Sequence, residues 1–170
     1  ALSSGRVADV KELDLGKNQI EDEGVRLLSE VLTQATRLET LNLANNKIGD
    51  AGIIALAEAS GAGALPSLAH LNLSGNLFGV PCITSLAAAL KGNQALTALN
   101  LDGCELPIQR LRGIDAVREL DLSGKGKRLG VASAIVIAAC IEGNGALTSL
   151  DVGYNDLNEE AALGIVRAYT

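Results

Sequence analysis

Methionine and tryptophan are missing from this 170-residue chain, and aromatic residues make up only 2% of it. A single irregular interior relies on bulky side chains to fill its middle. A core drawn almost wholly from Leu, Ile, Val and Ala points instead to many small, similar layers. Histidine occurs once and cysteine three times, as Cys82, Cys104 and Cys140. No CxxC spacing joins those cysteines, so they read as reduced thiols of an intracellular, cytoplasmic protein rather than as a disulfide or zinc framework. No apolar run reaches 18 residues, and Val131 to Ile141 is too short to span a bilayer. Cationic excess is lacking as well: the net charge is −6, which argues against nucleic acid or an anionic membrane as a general partner. The chain opens on Ala1-Leu2-Ser3-Ser4 without a methionine, which reads as part of a longer protein whose targeting signal would lie upstream.

What the chain has in abundance is a repeated stretch. Leu38-Glu39-Thr40-Leu41-Asn42-Leu43-Ala44-Asn45-Asn46-Lys47-Ile48 reads L-x-x-L-x-L-x-x-N-x-I, and close copies start at Val10, Leu38, Leu68, Leu96, Val117 and Leu147. The intervals of 28, 30, 28, 21 and 30 residues define a solenoid period. Each unit begins with an apolar pair two residues apart (Leu13 and Leu15, Leu41 and Leu43, Leu71 and Leu73, Leu99 and Leu101, Leu120 and Leu122, Leu150 and Val152). That alternation predicts a short strand with the apolar side chains inward. A turn follows at Asn18, Asn46, Asn76 and Asn155. An Asn amide offers both donors and an acceptor, so stacked copies can satisfy backbone groups at the bend. In the fourth unit Cys104 takes that place.

A helix then returns the chain. Asp22 and Asp50 stand where an N-cap belongs, Asn158 caps the last helix, and Pro81 fits a first turn. The helical spacing assigns Leu28, Val31 and Leu32, then Ile54, Leu56 and Ala57, then Ile83, Leu86 and Leu90, then Ile137 and Ile141, and finally Leu163 and Val166 to the buried side.

Units of this length, with segments such as Leu41-Asn42-Leu43-Ala44-Asn45-Asn46-Lys47-Ile48-Gly49-Asp50-Ala51-Gly52, resemble the ribonuclease-inhibitor type of leucine-rich repeat. Similar arrays occur in NOD-like receptors, Ran GTPase-activating protein and tropomodulin. The resemblance implies an α/β solenoid, a curved horseshoe segment with a parallel sheet on the concave side and helices on the convex side. It covers about residues 10–170, in one domain of about six repeats, with 1–9 as the end of a preceding repeat or a cap. It speaks to fold and hardly to function. Two neighbouring units depart from the pattern. The fourth is short, and Leu106-Pro107-Ile108-Gln109-Arg110-Leu111-Arg112-Gly113 cannot hold a full helix. The fifth carries an insertion around Gly124-Lys125-Gly126-Lys127-Arg128. Both strands remain, so the sheet is expected to continue through 106–129 while the helical layer is interrupted.

The outward strand residues form columns on the concave side. One column holds Asp14, Asn42, Asn72, Asn100, Asp121 and Asp151; a second holds Glu12, Thr40, His70, Ala98, Glu119 and Ser149. A third holds Gly16, Ala44, Ser74, Asp102, Ser123 and Gly153. The face is polar and acidic, which suits a basic or hydroxyl-rich protein segment, while Tyr154 is the one aromatic near its rim. The competing reading is that Asp and Asn between the leucines only keep a repeat surface wet. Arg110, Arg112, Lys125, Lys127 and Arg128 make the irregular zone basic and a candidate contact for an anion or an acidic partner. The loop lacks the G-x-x-x-x-G-K-[ST] spacing of a phosphate cradle. His70 has no cysteine or serine in motif spacing beside it, the carboxylates repeat layer by layer, and no ligand cluster for a metal or cofactor is evident. The sequence therefore predicts a non-enzymatic interaction or scaffold module with a protein partner. A regulator of an enzyme, such as a GTPase activator or inhibitor, and a structural subunit of a large complex are the alternatives.

Overall fold

A computed structural model describes residues 7–124 and 128–169. Short strands alternate with helices along it. The first four repeats give strands β1 (Glu12–Asp14), β2 (Thr40–Asn42), β3 (His70–Asn72) and β4 (Ala98–Asn100). They pair in parallel with leucine opposite leucine, Leu13 to Leu41 to Leu71 to Leu99. Helices α1 (Asp22–Leu32), α2 (Asp50–Gly61) and α3 (Val80–Lys91) pack side by side behind them. The core is the sandwich between: Leu41, Leu43, Ile48, Leu73, Ile83 and Leu86 are fully buried. A period of two in the strands and a helical face opposite it bring these residues together.

The irregular zone reverses the expectation. At Gly103, where φ is 85°, the chain turns, and the Asn100 side chain accepts the Gly103 N–H at 2.8 Å. Strand β5 (Glu105–Pro107) then runs back antiparallel along β4, with Leu106 opposite Leu99. The ladder ends there, at a strand whose Pro107 lacks an N–H and belongs on an edge. Helix α4 (Ile108–Leu111) is a single turn. Strand β6 (Glu119–Asp121) pairs in parallel with β7 (Ser149–Asp151) as a separate two-stranded sheet. Helix α5 (Val131–Ile141) meanwhile packs directly on α3, and α6 (Glu159–Ala168) on α5. The sheet is thus interrupted and the full-length helices close over the short one.

The turn asparagines do what their chemistry allows. Asn46 Nδ2 donates to the carbonyls of Leu15 (2.9 Å) and Leu43 (3.0 Å), and its Oδ1 accepts the Ile20 N–H at 3.0 Å. Asn76 repeats this on Leu43, Leu73 and Ile48, and Asn155 on Leu122, Val152 and Leu129. Cys104 can offer no such pair of N–H groups, and it sits where the parallel ladder stops.

Two sequence assignments are corrected. Asp22 and Asp50 are first-turn residues whose side chains cap the next helix: Asp22 accepts Gly49 N–H at 2.6 Å and Gly52 N–H at 3.0 Å, and Asp50 accepts Gly79 N–H at 2.5 Å. Among the described residues only Asn158 caps its own helix, accepting the Ala161 N–H at 2.8 Å. Four helix positions also differ from the assignment: α2 is apolar around much of its circumference, whereas α1 and α6 keep a buried stripe that runs through neighbouring positions. Val25, Ile53, Ala161 and Ile165 are buried, whereas Val31, Ile54, Leu163 and Val166 are exposed.

Candidate interaction groove

The outward faces of β1 to β5 line an open groove of about 390 Å³. Parallel pairing in register sets Asp14, Asn42, Asn72 and Asn100 in one row, and antiparallel pairing adds Glu105 to its end. A second row is Glu12, Thr40, His70 and Ala98. Of the residues singled out from the sequence, Glu12, Asp14, Asn42, His70, Asn72 and Asn100 therefore share one site.

Part of this row serves the fold. Asp14 Oδ1 accepts the Gly16 N–H at 2.8 Å and the Asn42 amide at 2.9 Å. Asn42 Oδ1 accepts the Ala44 N–H at 3.0 Å, and Asn72 Oδ1 accepts the Ser74 N–H at 3.1 Å. These are Asx turns, which end the strands. Asn42 is spent on both sides. Asn72 and Asn100 use only their oxygens, so among the described residues their amide N–H groups face the groove without an acceptor.

The carboxylates at the two ends also keep capacity: Asp14 has its second oxygen, and the Glu105 carboxylate is exposed. Glu39, just before β2, is engaged by Lys11 at 2.8 Å, and that hydrogen bond holds its carboxyl below the usual range. No described lysine or arginine forms an ion pair with Glu12, Asp14 or Glu105. Glu105 was not picked out from the sequence. The signal was present in the truncated unit and in the Glu105-Leu106-Pro107 alternation, but nothing local shows that the chain doubles back.

The other candidates lie elsewhere. Asp102 does not join the groove: its Oδ2 accepts the Gly130 N–H at 2.9 Å and the Ser133 N–H at 3.0 Å, capping α5. Glu119, Asp121 and Asp151 stand on the second sheet, where Asp121 and Asp151 oppose one another and each accepts the N–H two residues on. Tyr154 is 84% exposed in a left-handed turn of φ 57°. In the basic zone, the Arg112 guanidinium donates to the carbonyls of Leu90 (2.5 Å) and Asn93 (2.8 Å), closing the end of α3. Arg128 pairs with Asp156 at 3.0 Å and Arg110 is exposed on α4. Lys125 and Lys127 lie outside the described residues. Among the described residues no group of His, Cys, Asp and Glu is placed to hold a metal ion, and no helix is long and apolar enough to cross a membrane.

Comparison with known proteins gives the same architecture. The family model described as Leucine Rich repeat matches residues 9–29 and 34–57. The chain is built of leucine-rich repeats. Human Protein NLRC5 is 29% identical over 188 residues, covering 95% of this chain and 10% of NLRC5. Two solved structures share the repeat fold across 98% of the chain. The C-terminal domain of tropomodulin from Caenorhabditis elegans superposes with a TM-score of 0.56 at 21% identity, covering 88% of that domain. Actin-binding site 2 of leiomodin-1 superposes with a TM-score of 0.59 at 20% identity, covering 84% of it. Within this leucine-rich-repeat chain, the regular half carries the groove and the irregular unit ends it.

Proposed function

We propose that the protein is a non-catalytic interaction module that docks a segment of a partner protein in the concave groove of β1 to β5. One observation carries this reading: the amide N–H groups of Asn72 and Asn100, the second oxygen of Asp14 and the Glu105 carboxylate lie open in one groove, beside side chains that the Asx turns hold in place. Polar groups fixed on a rigid sheet lose little entropy when a partner satisfies them. An enzyme that the protein regulates, or a neighbour in a larger assembly, would both qualify as that partner.

The test is crosslinking mass spectrometry from native extract, comparing three forms of the protein. Thr40→Arg with His70→Arg fills the groove from two outward positions and should abolish the partner crosslinks found with the wild type. Glu30→Lys, on the exposed side of α1, should leave them unchanged. The reverse pattern would place the contact on the helices and reject the groove.

A further inference from the structure

The row that crosses the first sheet has a charge pattern that the repeat itself does not dictate. It reads carboxylate, amide, amide, amide, carboxylate: Asp14, Asn42, Asn72, Asn100, Glu105. A regular fifth repeat would have continued the row as a further parallel strand. Instead the chain reverses at Gly103 and β5 delivers a glutamate that closes the row. Glu105 is exposed, and among the described residues it forms no ion pair. At the opposite end Asp14 keeps one oxygen beyond its turn bonds, with Glu12 beside it in the groove. Between the poles the groove offers donors, from Asn72 and Asn100, and among the described residues no lysine or arginine lines it.

Resting on the reading above, we propose that this sheet face selects an extended protein segment with a basic residue near each end, one held at Asp14 and Glu12 and the other at Glu105. Four strand spacings separate the poles, roughly 19 Å along the sheet. An extended chain covers that distance in about six residues, a helix in about thirteen. The middle of the row favours the extended form. Free amide donors need acceptors, and the carbonyls of a helix are already bonded within it, whereas those of an extended segment are not. Phosphate-bearing ligands are disfavoured because both poles are anionic. The cationic ends complement carboxylates that the protein leaves unpaired, which makes charge the selecting term and spacing the measure of it.

Synthetic peptides, acetylated and amidated, with two lysines separated by spacers of graded length made of Thr and Ser, test this on the intact protein by amide chemical-shift titration at low salt. The expected result is shifts confined to β1 to β5 and an affinity optimum at about five intervening residues, about threefold above the shortest spacer. Glu105→Gln, at an exposed position, should flatten that optimum to the level of a single-lysine peptide while the remaining spectrum stays native. Binding in the groove without dependence on spacing, or an optimum that survives Glu105→Gln, would overturn the two-pole arrangement and leave the docking groove standing. Shifts confined to the helices would reject the groove along with it, and no shift at millimolar peptide would overturn the two-pole arrangement alone.

Discussion

The Asp102 carboxylate reaches 28 residues forward and accepts the Gly130 N–H at 2.9 Å. It also takes the Ser133 N–H, at 3.0 Å. Asp22 does the same for Gly49 and Gly52, so the device belongs to the repeat and survives even where the sheet is broken. A carboxylate at a helix N-terminus satisfies orphan N–H groups and complements the dipole. Asp102→Ala should therefore cost about 1–2 kcal/mol, and Asp102→Asn less, as read by urea denaturation. Peptide binding in the groove should not change. A loss of binding with unchanged stability would return Asp102 to the concave surface.

The sequence led elsewhere at Asp102 because the third column was extended by counting from the strand leucines. Counting is sound where units have full length, which is why the strands and the Asn46 and Asn76 turns were legible. It fails at the 21-residue unit, because whether a shortened repeat sacrifices its helix or its strand pairing is a contest of burial energies. Here α3 and α5 are the long apolar elements, and bringing them together buries more than continuing a three-residue strand would. The same limitation hid Glu105. Burial phase was illegible in α2 for another reason, since a helix apolar on most sides has no single stripe to read.

Asn46 should be more costly to replace than Asn18. Asn46 is buried and holds one N–H and two carbonyls of two different repeats, whereas Asn18 is exposed and bonds only to carbonyls of its own turn. Removing a partner from buried backbone groups costs about 1–3 kcal/mol. Asn46→Ala should lose that amount in chemical denaturation and Asn18→Ala a few tenths. Equal losses would mean that water replaces the amide in both turns.

Depth in the stack should grade the strand leucines in the same way. Leu71 is 3% exposed between two paired strands, while Leu13 is half-buried on the first strand. Leu71→Ala should cost about 2–5 kcal/mol, and Leu13→Ala clearly less. A Leu71→Ala melting point matching the wild type would show that this side chain is not inward.

Cys82 provides a pH-dependent test. Burial, aided by the nearby Asp50 carboxylate, pushes its thiol up to about 12. The unfolded thiol ionises near its ordinary value, about 8.5. The native state thus favours the neutral form, so its contribution is intact below about pH 8.5 and is lost as pH rises toward 12. Alkaline pH should lower the stability of the wild type more steeply than that of Cys82→Ala over this window, while the two curves run parallel near neutrality. Alkylation at neutral pH should likewise reach the half-buried Cys104 well before the buried Cys82 and Cys140. Parallel curves throughout would show that the Cys82 thiol is not desolvated in the native state.

Tyr154 joins stability to binding. Lys17, Asn45, Gly75 and Tyr154 each precede the turn asparagine with φ between 54° and 69°. Left-handed backbone is natural for Asn and Gly but costs a tyrosine about 1–2 kcal/mol. With 84% of its surface exposed, the Tyr154 side chain recovers little of that by packing. Tyr154→Asn should therefore stabilise the fold by about 1 kcal/mol, seen as a higher melting temperature. A strained, exposed aromatic is also the kind of residue that anchors a partner. If Tyr154 contacts the partner, the stabilised variant should give weaker partner crosslinks. If crosslinks persist at full strength in a more stable protein, the strain at Tyr154 serves no interaction and the groove alone carries the contact.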